Sequence, residues 1–143
     1  MMIIIVCLDD AGGMMFNKRR QSRDRAVISD ILKMCKGSRL WVNHYTAGLF
    51  KDCDDAMVID EAFCEKASAG EYCFAENILL MPYIEKIEKM IVYRWNRKYP
   101  ADFCVDIDFK SWSCESVCEF AGFSHEKITK EIYVKSSEHV KKG

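Results

Sequence analysis

The sequence predicts an α/β domain: a mixed, mostly parallel twisted sheet flanked by helices, with an antiparallel strand at its C-terminal end. Three observations carry this. Ile3-Ile4-Ile5-Val6-Cys7-Leu8 is a continuous apolar run rich in β-branched side chains, which fits a strand buried on both faces. Strand-like and helix-like segments then alternate, the order that builds a parallel sheet. The last part of the chain changes style, with three strand-like segments joined without helices.

Taken in order, Asp9-Asp10-Ala11-Gly12-Gly13 stops the first strand with turn chemistry, and Met14-Met15-Phe16-Asn17 brings apolar surface and an amide to the sheet's end. The charged run from Lys18 to Arg25 leads into a helix over 24–36, where Ala26, Val27, Ile28, Ile31, Leu32 and Cys35 recur at helical spacing and Gly37 ends it. Residues 39–43 read as a second strand, 44–50 as a turn into a short helix, and 56–59 as a third strand. Asp60 is placed to cap a helix over 61–67, Gly70 closes it, and 71–75 forms a fourth strand. A short helix over 82–87 precedes a fifth strand over 89–95. Segments 103–109, 112–120 and 128–134 read as the closing strands, the first of them partly extended loop. One domain thus spans 1–135, and 136–143 is a polar tail expected to fray.

Composition sets outer limits. A chain of 143 residues and 16.6 kDa is one domain, large enough to fold without staples. A formal net charge of −1 gives no global pull toward nucleic acid or an anionic membrane. No apolar stretch approaches the ~20 residues of a membrane span. The opening run lacks a basic leader and meets two aspartates, so it reads as a strand, not a signal peptide, and the expected location is cytoplasmic. The eight cysteines sit mostly within apolar segments and lack a C-x-x-C, the pattern of buried free thiols in a reducing compartment; no metal site is expected. His44 and His125 do not make a metal pair, and His125 is expected to hydrogen-bond within a turn. No G-x-S-x-G, P-loop, H-x-H-x-D-H or H-E-x-x-H is present, so serine and zinc hydrolases have no sequence motif here.

With this layout the chain resembles a divergent member of the dihydrofolate reductase-like fold family. IIIVCLDDAGGMMFN is similar to that family's first strand, glycine-containing turn and the asparagine ahead of a mobile loop. RLWVNHYT sits where the family has a strand ending in a cofactor-contacting turn. EKMIVYRW, ADFCVDIDFKSW and SHEKITKEIYV resemble its last three strands, including the tryptophan that opens the penultimate one.

The departures bear on function. The reductases place two adjacent glycines after a central strand, so that backbone meets the NADPH pyrophosphate. Here that segment is Tyr72-Cys73-Phe74-Ala75-Glu76-Asn77, without glycine and with a carboxylate facing a would-be anion. The basic residue of the other cofactor turn is missing from Asn43-His44-Tyr45-Thr46, and Lys18-Arg19-Arg20 replaces the Pro-Trp pair after Asn17. The resemblance therefore implies the fold with the ordinary NADPH site lost or rebuilt, leaving the cofactor unknown.

Asp24 matches the family's proton-handling acid, which would bind a ring amide or amidine; as a plain helix-start residue it would answer the helix dipole instead. Arg19, Arg20, Gln21 and Arg25, with Arg23, form a cationic loop whose guanidinium forks suit phosphate or carboxylate. Arg94-Trp95-Asn96-Arg97-Lys98-Tyr99 interleaves aromatics with cations, either to grip a base and phosphate or to let Trp95 cover the core. The candidate ligand-binding set is Asn17, Arg19, Arg20, Gln21, Arg25, Asn43, Tyr45, Thr46, Glu76, Asn77 and Arg94, with Asp24 as the catalytic candidate. Crossovers return each parallel strand to the same end, so these loops should converge on one cleft. Two readings result. One is a binder of a polar anionic small molecule, nucleotide- or pterin-like, and not an ordinary dihydrofolate reductase. The other is a non-catalytic interaction protein, with RNA a candidate partner through the arginine-rich loops.

Overall fold

Strand β1 (Met2–Leu8) lies at the centre of a seven-stranded sheet because its side chains have apolar partners on both faces. The computed structural model describes residues 1–50 and 57–135. Residues 136–143, read from sequence as a frayed tail, lie outside the described residues, as do Cys53 and Ala56, the first residue of the third expected strand.

Strand alternation divides the core in two. Met2, Ile4, Val6 and Leu8 join Phe63, Cys73, Leu80, Met90 and Trp112 on one face, while Ile3 and Ile5 join Val27, Ile31, Phe74 and Trp95 on the other. Each such side chain, fully buried, contributes about 1.5–3 kcal/mol relative to exposure.

The remaining main-sheet elements are helix α1 (Arg25–Met34), β4 (Leu40–Val42), α2 (His44–Ala47), β5 (Met57–Ile59), the single-turn α3 (Phe63–Lys66), β6 (Tyr72–Phe74) and β7 (Ile87–Arg94). They are followed by β9 (Trp112–Phe120) and β10 (Ile128–Lys135). The strand order is β5-β4-β6-β1-β7-β10-β9. Strand β1 runs parallel to β6 and β7, with Ile4 opposite both Cys73 and Met90. Strand β10 is antiparallel to β7 and β9. The expected mixed α/β sheet with an antiparallel C-terminal finish is the observed one.

Three local differences have physical causes. The segment read as apolar surface followed by a basic loop is a hairpin, β2 (Gly13–Phe16) with β3 (Arg19–Arg20), turned by Asn17 and Lys18 at φ 51° and 63°. It joins β8 (Phe103–Cys104) in a separate three-stranded sheet, and the rest of the 103–109 segment is not strand. Helix α1 starts one residue later than its periodicity suggests, because Asp24 has an extended backbone and caps it, accepting from Ala26 N at 2.9 Å. The expected helix over 61–67 shrinks to one turn, although Asp60 does accept from Ala62 N at 2.8 Å.

The cysteines split. Cys35, Cys64 and Cys73 are buried as expected, but Cys104, Cys114 and Cys118 are exposed. Strand β9 is the sheet's edge and, among the described residues, nothing packs over its middle, so apolar composition there does not produce burial.

Candidate functional site

Strands β1, β4, β6 and β7 end on the same side of the sheet, and the loops after them meet there as parallel topology requires. Two clusters form.

The first assembles six of the sequence-predicted residues. Arg20 forks onto Glu76, with Nε 2.8 Å from Oε2 and a terminal nitrogen 3.0 Å from Oε1. Thr46 Oγ1 donates to the same Oε1 at 2.8 Å, and Thr46 N donates to Asn43 Oδ1 at 3.0 Å. Asn43 Nδ2 in turn donates to Asn77 Oδ1 at 2.8 Å. The Arg20 guanidinium lies over the Tyr45 ring at 4.4 Å, and Tyr45 Oη accepts from Arg20 N at 2.7 Å. Thr46 and Glu76 are buried. A carboxylate thus stands at the end of β6 with a cation folded onto it. A dinucleotide pyrophosphate placed here would face Glu76 and compete for Arg20, so these residues do not fit NADPH bound in the reductase manner.

The second cluster was not read from sequence as a unit. Asp24, whose side chain has no solvent exposure, gives Oδ1 to Ala26 N and Phe123 N and Oδ2 to Ser124 N, each at 2.9 Å. Oδ2 also lies 2.9 Å from His125 Nδ1. Burial works against ionisation, but these donated hydrogen bonds outweigh it and hold the carboxyl well below the usual carboxylate range. The ionised carboxylate accepts from Nδ1–H, the tautomer in which Nε2 of a neutral imidazole is an acceptor. It faces two hydroxyls, Ser22 Oγ at 3.1 Å and Tyr99 Oη at 2.9 Å. Trp95 stacks on the imidazole, with centroids 4.6 Å apart and planes at 21°. Trp95 is buried and covers the core. Gly122 is required beside this cluster, since a Cβ there would sit 2.6 Å from Asp24 Oδ2 and 2.8 Å from the His125 carbonyl oxygen.

Asp9 is a third buried carboxylate, held ionised below its usual range. Against the cost of burial it accepts from Gly13 N, Tyr99 N, Ala11 N and Gln21 Nε2. The Gln21 amide also donates to Pro100 O, which fixes its orientation and leaves Gln21 Oε1 buried and, among the described residues, without a partner. Asn17 and Arg19 lie at the exposed hairpin tip, where Asn17 N donates to Asp102 Oδ2 at 3.0 Å. Arg94 is drawn away to Glu131 on β10. Arg25 is exposed, its guanidinium 6.0 Å from the Phe123 ring.

Between the clusters runs an inner cleft lined by Cys7, Arg20, Ser22, Asp24, Val27 and Glu76, with free volume of about 20 Å³, the space of one water-sized group. It shares Arg23, Asp24, Ile28 and Leu49 with an open outer groove of about 730 Å³ along α1. That groove adds Arg25, Leu32, Phe123 and Ser124. Asp9, Ser22 and Ser124 were not among the sequence-predicted site residues, and Tyr99 was read only within the aromatic–cation segment 94–99. Asp9-x₃-Gly13 carried a turn signal for the first, whereas the others act through contacts with no local signature.

No protein-family model and no curated protein matches the sequence. Among solved structures, the chain is similar to the dihydrofolate reductase of Enterococcus faecalis complexed with NADP(H) and RAB-propyl. The identity is 10%, the TM-score 0.64, and the match covers 95% of this chain and 96% of that one. The fold is therefore dihydrofolate reductase-like. At this identity the likeness establishes the fold alone, and the site's chemistry must come from its own residues.

Proposed function

We propose that the protein is a small-molecule-binding member of this fold that takes a polar anionic ligand, nucleotide- or pterin-like, at the C-terminal ends of the strands. It does not act as an NADPH-dependent dihydrofolate reductase. The observation that carries this reading is the division of the cleft. Arg20, Glu76 and Thr46 close its cofactor side, while the groove along α1 stays open with the exposed Arg23 and Arg25 above Ile28, Leu32 and Leu49. An apolar wall rimmed by guanidinium groups suits a flat heterocycle with an anionic end. Asp24 serves such a ligand indirectly, by holding the 122–125 loop and the start of α1 that form the groove's edge.

Thermal denaturation in the presence of nucleotides, folates, pterins, NADP(H) or short RNA tests the proposal. A ligand at a hundredfold excess over its Kd adds about 2.7 kcal/mol to stability. Stabilisation by a nucleotide or pterin that is lost in Arg25→Ala supports it. Micromolar or tighter NADPH binding, or stabilisation by RNA alone, overturns it.

A further inference from the structure

Ser22, His125 and Asp24 stand in a line. Ser22 Oγ lies 3.1 Å from His125 Nε2, and His125 Nδ1 lies 2.9 Å from Asp24 Oδ2. This is the spacing of a nucleophile, a general base and the carboxylate that orients the base, a constellation recognised by geometry rather than by motif. We propose that the protein carries a serine nucleophile, Ser22, that cleaves carboxylic esters or thioesters of small acyl groups, with His125 as its base and Asp24 as the residue that positions it.

Four features favour this over a purely structural knot. The imidazole is locked, because Trp95 covers one of its faces and Asp24 fixes its tautomer. Both hydroxyls at Nε2 can donate to it, but only Ser22 lines the inner cleft. Tyr99 lies instead beside the separate hollow under the β2–β3 hairpin. Ser22 is half-buried, which shields a nucleophile while leaving it reachable. The half-buried Cys7 thiol in the same cleft is no rival, since burial and the nearby Glu76 carboxylate raise its pKa and keep it protonated.

The step balances without a cofactor. Ser22 Oγ forms a bond to the acyl carbon and gives its proton to His125 Nε2, while Asp24 stabilises the imidazolium through Nδ1–H. The bond to the leaving alcohol or thiol breaks, and that group departs with the proton from Nε2. A water molecule then attacks the acyl-Ser22 ester, again losing its proton to Nε2. The acid is released and Ser22 recovers its proton. The inner cleft has room for one water-sized group, the carbonyl oxygen of the substrate, so the acyl chain and the substrate body both lie in the α1 groove. To that extent the inference rests on the binding reading above.

The test uses an alkyl fluorophosphonate, which phosphonylates an activated serine with loss of fluoride and has no anionic end. A failure of the groove to bind anions therefore leaves this result unaffected. The expected result is one adduct per folded chain, mapped by mass spectrometry to Ser22 and absent after unfolding in urea or in Ser22→Ala. His125→Gln should slow labelling about 10²–10⁴-fold. Asp24→Asn should lower the maximal labelling rate without changing the half-saturating probe concentration, the split expected of a positioning residue. The parent chain supplies its own control in Ser29, exposed on α1 outside the cluster. No adduct at Ser22, labelling there no faster than at Ser29, or an unchanged rate in a folded His125→Gln protein would each overturn the proposal.

Discussion

Asp24→Asn is the substitution that tests most of the site's architecture at once. The parent carboxylate accepts from three backbone N–H groups, from the Ser124 hydroxyl at 3.1 Å and from His125, spanning 101 residues of sequence from α1 to the loop before β10. An asparagine oxygen can keep Ala26 N and Phe123 N, but its amide then turns a donor toward Ser124 N. The imidazole can relieve its own conflict by moving its proton to Nε2, whereas the backbone N–H cannot. One stranded N–H costs about 1–3 kcal/mol, and the contacts kept lose their charge assistance, so the loss should total about 2–4 kcal/mol at pH 7. This is a large share of the 5–15 kcal/mol typical of a domain.

The pH dependence has a definite sign. The folded pKa of Asp24 is depressed, so its contribution is full above the unfolded value near 3.9 and fades as pH falls toward the folded value. Between pH 7 and pH 3 the parent should give up about 1.3 kcal/mol at this position, and the asparagine variant nothing. Urea unfolding followed by tryptophan fluorescence, with buried Trp95 on His125 as reporter, measures both quantities. A loss below about 1 kcal/mol at pH 7, or a gap between the two proteins that does not narrow at pH 3, would refute the reasoning.

Two further outcomes are expected. Arg20→Met or Glu76→Gln alone should cost about 2–3 kcal/mol, the buried-pair value discounted because Arg20 is 21% exposed, and the double variant should cost less than the sum. Additive losses in equilibrium unfolding would show that the two side chains do not depend on each other. Alkylation of the native protein with iodoacetamide, read by peptide mass, should modify Cys104, Cys114 and Cys118 and spare Cys64 and Cys73 until unfolding. The Cys73 thiol is pushed well up by its Cys64 contact and by burial, so modification of Cys73 at the rate of Cys118 would contradict its place in the core.

The central strand, the parallel order around it and the antiparallel finish were legible because they rest on local patterns. A β-branched apolar run, glycine punctuation and helical spacing act within a few residues, and buried parallel strands admit little else at Ile3–Leu8. The convergence of Arg20, Tyr45, Thr46 and Glu76 at one sheet end was legible too, since parallel topology places strand ends together whatever the side chains do. What those side chains do to one another was not. Arg20 looked like a cation awaiting an anion, and the fold supplies one in Glu76, 56 residues away. Asp24 was read as a proton-handling acid or a plain helix-start carboxylate, and the pattern could not show that a loop some 100 residues later brings it His125 and two backbone donors. Cys114 and Cys118 share an apolar composition with buried cysteines, yet β9 lies at an edge that no described residue covers. Periodicity decides which face of an element is apolar; only the tertiary structure decides whether another layer covers that face and which distant polar group meets its ends.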